Sequence, residues 1–502
     1  MTYRKNWFSY VLWVAYAGLC VMLLSYIGYH IYAGYVALPL ARLGALIIFP
    51  VLVCVYLALR LSSQAIRKRH SVSLYARAML EAAVVSISFV FGLLYRLRVL
   101  LYSTFDSAAI ESVTSDYYGR ALIRAGEQIE PMAHGLSQLY VSCLSTVFSF
   151  LGNGVTSAML FQIILQMAAM LLAFRIAKKT ARRLPACVVL LSLAFSDFFA
   201  GKIAVIDPEC LYLVLYLLGL LVILSFIKDY LAGKPVLGGL PGAVFAGVLI
   251  GVLTYLELWS VTLLFFLVGL FTGKREREDS IYGRILHVFM TVVSCVGSFL
   301  AVIGADAAFS HVSFERSVRV WAYPYSLIRW NGFLFDMVKG DLLFWALLIL
   351  PAAFLVFEFL RGGREQNYTL WLFACVLFTP VLMMDLNRIS YGSILLFFWS
   401  MMAGLGLKNC LLSGQAEVMR AKIQEINASA GTEALQEVKS ATEMAEKIVE
   451  AEQPGEKPRY IENPLPVPKK HVKREMDYDH EVSESAMHFD IEIVEEDDFE
   501  LN

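Results

Sequence analysis

The sequence predicts an all-α polytopic membrane protein with about twelve transmembrane helices. Three observations lead there. Hydrophobic residues make up 58% of the 502 positions and charged residues only 17%, where an ordinary soluble domain carries about a quarter charged; the mean hydropathy is +0.62. The apolar residues are gathered into runs close to the roughly 20 that a helix needs to cross a bilayer. Lys and Arg fall in knots between those runs rather than along them.

The runs place spans near 7–30, 38–61, 78–97, 154–176, 185–202, 208–227, 241–256, 258–273, 284–305, 341–360, 367–384 and 391–410. The first is too long for the apolar stretch of a signal peptide and lacks a cleavage site, so it reads as a span. The two runs flanking Glu257 are short, which points to tilt or a break at that residue. The basic knots are Arg4-Lys5, Arg67-Lys68-Arg69, Lys178-Lys179 with Arg182-Arg183, Lys228 with Lys234, Lys274-Arg275 with Arg277, and Arg361 with Arg364. If the spans alternate, all of these share one side, which the positive-inside rule makes the cytoplasm. Both termini are then cytoplasmic, in a plasma (inner) membrane. The loop 97–153 faces out, together with Asp207–Glu209, the turn at Glu257, the stretch Asp306–Asp341 and the turn Asp385–Tyr391.

The chain divides into four segments. Residues 1–77 hold two spans and a cytoplasmic loop, and 78–410 form the transmembrane core. Residues 411–453 read as a charged cytoplasmic helix, with apolar positions such as Leu435, Val438 and Met444 at helical spacing. Residues 454–502 are Pro-rich and then acidic, a composition expected to be disordered. This tail would bind a cytoplasmic protein partner or act as a spacer. The eight cysteines show no paired spacing and read as small core residues.

The loop 97–153 is the longest stretch before the tail that is neither continuously apolar nor a short connector. Residues 117–127 have helical character. Leu136, Leu139, Tyr140, Cys143, Leu144, Val147, Phe148 and Leu151 repeat at helical spacing with Ser137, Gln138, Ser142 and Ser145 between them. That pattern predicts an amphipathic helix lying in the membrane interface.

The ionisable residues expected on the outer face are Asp116, His134, Asp207, Glu209, Glu257, Arg316, Arg319, Asp385 and Arg388. A carboxylate at the end of a span is costly unless paired or hydrated, so such residues are functional candidates. Each also has a plainer explanation. Asp116 suits the start of a helix, Asp207 before Pro208 suits a cap, and Glu257 and His134 suit turns. Arg316 and Arg319, with Trp321 and Tyr323, suit contact with lipid headgroups. Taken together they fit transfer of a sugar from a lipid phosphate. One carboxylate would serve as general base, and arginines would hold the leaving phosphate.

Three stretches carry a resemblance. The first is Asp116-Tyr117-Tyr118 with Ala121, Gly126, Pro131, His134-Gly135, Leu139-Tyr140 and Phe150-Leu151-Gly152. The second runs from Phe195-Ser196 to Asp207-Pro208-Glu209-Cys210-Leu211-Tyr212, and the third is Asp385-Leu386-Asn387-Arg388 with Tyr391. Over residues 78–410 the chain resembles integral-membrane glycosyltransferases of the C superfamily, in the group of protein O-mannosyltransferases and the lipid A aminoarabinose transferase. The resemblance implies a polyprenyl-phosphate sugar donor, a cell-envelope acceptor and transfer at the outer membrane surface. It implies Asp116 as general base. Asp207 and Glu209, with Glu257 and His134, would support the acceptor or a metal, and Arg388, with Arg316 or Arg319, would bind the donor phosphate. Some relatives use a divalent cation and others do not, so the metal stays open. Here the early acidic motif is Ser115-Asp116 rather than a pair of acids.

Two other classes compete: a transporter or flippase of a lipid-linked saccharide, and a non-catalytic scaffold acting through its tail. Transporters show internal repeats and ionisable sites near the bilayer midplane, whereas here no repeat is visible and the acids gather at the rim. No soluble-enzyme motif and no nucleic-acid module is present.

Overall fold

The computed structural model describes residues 7–37, 54, 74–105, 121, 135–234, 236–273, 281–323, 329–330, 333–360, 368–382, 384–385 and 392–409. The chain divides into two units. One holds 1–58 and 75–409 with Asn502, the other 59–74 and 410–501. The expected second span, the helix at 411–453 and the tail at 454–502 lie outside the described residues.

The elements are helical almost throughout. They run α1 (Trp7–Ala37), α2 (Leu74–Phe105), α3 (Leu136–Leu151), α4 (Val155–Ala181), α5 (Arg183–Phe195), α6 (Asp197–Gly201), α7 (Glu209–Leu231) and α8 (Leu240–Leu256). Next come a 3-10 helix (Leu258–Leu267), α9 (Val268–Thr272), α10 (Ile281–Phe309), α11 (Phe314–Ala322), α12 (Phe333–Gly340), α13 (Leu342–Leu360) and α14 (Tyr368–Leu382), and α15 spans 392–409. Two residue pairs, β1 (Arg329–Trp330) and β2 (Met384–Asp385), form a short antiparallel ladder in which Arg329 faces Asp385. It joins the stretch Asp306–Asp341 to the turn that begins at Asp385.

Among the described residues five helices are long and apolar enough to cross a membrane, in α1, α2, α4, α7 and α10; α12 and α13 add a sixth if their 110° bend lies within one span. The expected count of twelve is therefore not reached by helix length. The remaining described runs are helical but short or broken. The expected span 185–202 stops as an α-helix after 13 residues, about 20 Å at the α-helical rise. Ser196 then adopts extended backbone and caps α6 through its side chain. The expected break at Glu257 is present: its backbone is extended, at φ −153° and ψ 121°. Beyond it the chain winds as ten residues of 3-10 helix rather than α-helix. At the longer 3-10 rise this stretch and α9 together reach about 27 Å, near the thickness of the hydrocarbon layer. Winding offsets the short sequence. The expected loop from Asp306 begins inside α10, which runs to Phe309.

Packing obeys membrane logic, where lipid is as apolar as the side chains and helices are drawn together by close fit. Gly247 and Gly251 lie four apart on α8. A Cβ at Gly247 would fall 2.3 Å from the Thr291 carbonyl oxygen, and one at Gly251 2.2 Å from that of Cys295. Only glycine allows α8 and α10 to lie backbone against backbone. The opposite face of α10 exposes Ile285, Phe289, Val293 and Leu300, as a lipid-facing surface would. Elsewhere aromatic rings fill the centre. Trp13 of α1 stacks on Phe359 of α13 at 4.5 Å, Tyr16 stacks on Trp399 of α15 at 5.8 Å, and the Tyr16 hydroxyl donates to the Ala352 carbonyl at 2.9 Å. Cys20, Cys210, Cys295 and Cys375 are buried as free thiols, while Cys54 is exposed.

Candidate functional site

A cluster of buried polar groups lies at the first turn of α7. Glu209 is 1% exposed and both its oxygens are engaged. Lys202 holds Oε2 at 2.6 Å, and Ser393 donates its hydroxyl to Oε1 at 2.8 Å. Ser393 stands in the opening turn of α15, so the carboxylate also meets the positive end of that helix. Asp207, partly buried, accepts the Glu209 backbone N–H on Oδ1 at 3.0 Å. The plain capping reading of Asp207 is thus true of one oxygen. Burial first, and then the Glu209 charge, pushes the Asp207 carboxyl up to about 7, against the pull of Lys202. Burial draws the Lys202 ammonium down, but Glu209 and Asp207 more than reverse this and its net shift is upward.

Two glutamines of α4, one helical turn apart, anchor this corner. Gln162 is fully buried and donates to the Asp207 carbonyl at 2.7 Å and to the Tyr140 hydroxyl of α3 at 2.7 Å. Gln166 donates to the Phe199 carbonyl of α6 at 2.6 Å and accepts from Arg96 Nε of α2 at 2.7 Å. Arg96 is fully buried in an apolar helix. Its other N–H groups reach the carbonyls of Gly92 at 2.9 Å, Leu193 at 3.1 Å and Ala194 at 3.4 Å, and its guanidinium lies over the Phe199 ring. A cation at the carbonyl end of α5 is where the helix dipole favours one. The result is a chain of contacts from Arg96 through Gln166 to the loop that aims Lys202, Asp207 and Glu209. Beside it, Tyr95 donates to Asp197 at the start of α6.

The amphipathic helix is present as α3, with the expected bounds. Leu136, Tyr140, Leu144 and Phe148 are buried, while Leu151 is exposed and Ser145 is buried. Gly135, at φ +64°, passes so close to the end of α8 that a Cβ would sit 2.8 Å from the Leu256 carbonyl oxygen. This brings the start of α3 beside Glu257, which is 5% exposed.

Arg316 and Arg319 are exposed on α11, and Arg319 pairs with Glu315. Asp116, His134 and Arg388 lie outside the described residues, as does the side chain of Asp385. Among the described residues no group of three or more His, Cys, Asp or Glu side chains comes together as a metal site would require.

Sequence reading missed Lys202, Ser393, Gln162, Gln166 and Arg96. Lys202 closes an expected span, and Ser393 sits in an ordinary apolar run. A usable signal existed for the glutamines: residues four apart share one helix face, and an intramembrane arginine such as Arg96 asks for partners.

No protein-family model and no curated protein matches the chain. Among solved structures it is similar to the crystal structure of the Archaeoglobus fulgidus oligosaccharyltransferase in complex with zinc and sulfate, with a TM-score of 0.41 and 11% identity. The match covers 67% of this chain and 51% of that one. The chain thus spans about half the length of that protein.

Proposed function

We propose that this protein is a membrane glycosyltransferase that moves a sugar from a polyprenyl-phosphate donor to a cell-envelope acceptor at the outer membrane surface. The observation that carries this reading is the pair of buried or half-buried carboxylates at the head of α7, tied to a lysine and aimed by a polar network inside an otherwise apolar bundle. Such a network is expensive in a low-dielectric core, and a working site is the reason to keep one.

Geometry separates the roles of Glu209 and Asp207. Glu209 has both oxygens occupied and serves to orient Lys202 and the opening of α15. Asp207 has one oxygen committed to its cap and gains or loses a proton near neutrality, which suits a group beside an acceptor hydroxyl. Asp116 is the general base of this reading, with Arg388, Arg316 and Arg319 as the cations for donor phosphate and Glu257 and His134 as neighbours of the acceptor.

Asp116→Asn tests it directly. In proteoliposomes supplied with a polyprenyl-phosphate sugar, the variant should insert and fold yet lose transfer; wild-type transfer rates would remove Asp116 from the base role. A flippase of the same lipid-linked sugars is the second reading, favoured by the 110° break between α12 and α13, since transporters use broken helices. Lipid movement across the bilayer without sugar transfer would select it.

A further inference from the structure

The far end of α7 holds a second charged cluster that the transfer reading does not use. From Glu209 to Lys228 the helix carries no charged residue, and this distance is about 28 Å at the α-helical rise, close to the thickness of a bilayer's hydrocarbon layer. Helices α4 and α7 run parallel. Gln162 touches the Asp207 carbonyl at one end, and Lys179 touches Ser225 at the other. If Glu209 marks one interface, Lys179 and Lys228 stand at the headgroup level of the opposite leaflet.

The composition of this end is specific. Lys179 is half-buried and gives one N–H to the Ser225 hydroxyl at 2.5 Å. Ser225, Lys228 and Asp229 lie three and four residues apart, on one face of α7. Lys179 lies within electrostatic reach of Lys228, Lys234 and Asp229. The one carboxylate of the group, Asp229, is already paired with Lys234 at 3.1 Å. Three ammonium groups and one carboxylate leave a net charge of +2. Neither Lys179 nor Lys228 has a carboxylate partner among the described residues.

Neighbouring cations are treated differently. Lys178 and Arg183 share Glu81 of α2, at 2.5 and 3.2 Å. On one face the fold supplies its own anion; on the next, among the described residues, two ammonium groups have no carboxylate paired to them. Half-burying two cations that share a single, already paired carboxylate is unfavourable, and an added anion would complete the arrangement.

We propose that Lys179 and Lys228 form a binding site for the phosphate of an anionic glycerophospholipid in the leaflet opposite Glu209, with Ser225, whose hydroxyl accepts from Lys179 and donates to the Leu221 carbonyl, positioning Lys179. Basic pockets between transmembrane helices take anionic headgroups in this way. The lipid tails would lie in the hydrocarbon layer beside α4 and α7, which a free phosphate ion cannot use.

The test is native mass spectrometry of the full chain released from detergent, titrated with phosphatidylglycerol or with phosphatidylcholine. The wild type should retain phosphatidylglycerol at least tenfold more readily, and K179Q/K228Q should lose that preference. K178Q, whose partner Glu81 belongs to the other face, should keep it. Should K179Q/K228Q fail to elute as a monodisperse species, K179R/K228R serves in its place and should retain the preference, and raised salt should weaken it in the wild type. Equal retention of the two lipids by the wild type, or an unchanged preference in K179Q/K228Q, overturns the proposal. Displacement of phosphatidylglycerol by millimolar inorganic phosphate also overturns it, because the site would then be one for a free anion.

Discussion

The two ends of α7 handle charge in opposite ways. At the first turn, Glu209 is sealed from solvent with a partner on each oxygen, and the surrounding donors come from the loop after α6, from α4 and from α15. At the last turns, Lys179 and Lys228 are half-buried and leave donors open. The first arrangement fixes positions, because each group is held by others that are themselves held. The second leaves ammonium groups that no carboxylate pairs with among the described residues. One helix thus carries a tightly held polar cluster at one end and a loosely held one at the other.

The sealed end should be the fragile one. Lys202→Met leaves the Glu209 carboxylate buried without its cation, which should lower stability by about 3–5 kcal/mol. Denaturant unfolding in detergent measures it, and adding Glu209→Gln to the same chain should recover part of the loss. A loss below about 1 kcal/mol would mean that the pair is not a fixed element. Gln162→Leu comes next. It removes a donor from the Asp207 carbonyl and from the Tyr140 hydroxyl at once and should cost about 1–3 kcal/mol, with any transfer activity falling as Asp207 shifts.

Asp207 gives a pH signature. Its carboxyl rises on folding from the ordinary 3.8 to about 7. Between those values the folded state keeps a proton that the unfolded chain has released. Stability should therefore fall as pH climbs from about 4 to about 7 and level off above. Asp207→Asn should flatten that slope in thermal unfolding measured across the range. The smallest effect belongs to the open end: Lys228→Gln, with no acceptor to lose, should change stability in detergent by no more than about 0.5 kcal/mol. A larger loss would show that this end, too, is internally braced.

Much of the architecture is legible in the sequence. The stripe from Leu136 to Phe148 repeats with the helical period and marks α3 with its bounds, and a lone acid in an apolar run marks the break at Glu257. The number of crossing helices is less so, because hydropathy counts apolar residues and not how they wind: Ser196 turns an apparently uniform span into short pieces, and Leu258–Leu267 winds as a 3-10 helix. At the site, Asp207 and Glu209 stand out as charges at a span boundary. Their partners do not. Gln162, Gln166 and Ser393 are neutral, and Lys202 closes a hydrophobic run. A neutral donor becomes conspicuous only once the fold sets it beside a carbonyl or a carboxylate.

The winding of Leu258–Leu267 also fixes a direction. With three residues to the turn, every third side chain returns to the same bearing, and Ser260, Leu263 and Phe266 are all buried. They form a straight spine parallel to the axis, which ends with Phe266 against the rings of Trp371 and Phe398. Recoiling into an ordinary α-helix would swing Phe266 by about 120° relative to Ser260 and pull it out of that aromatic nest. The tight coil is therefore not slack waiting to relax: it is clamped by what it touches.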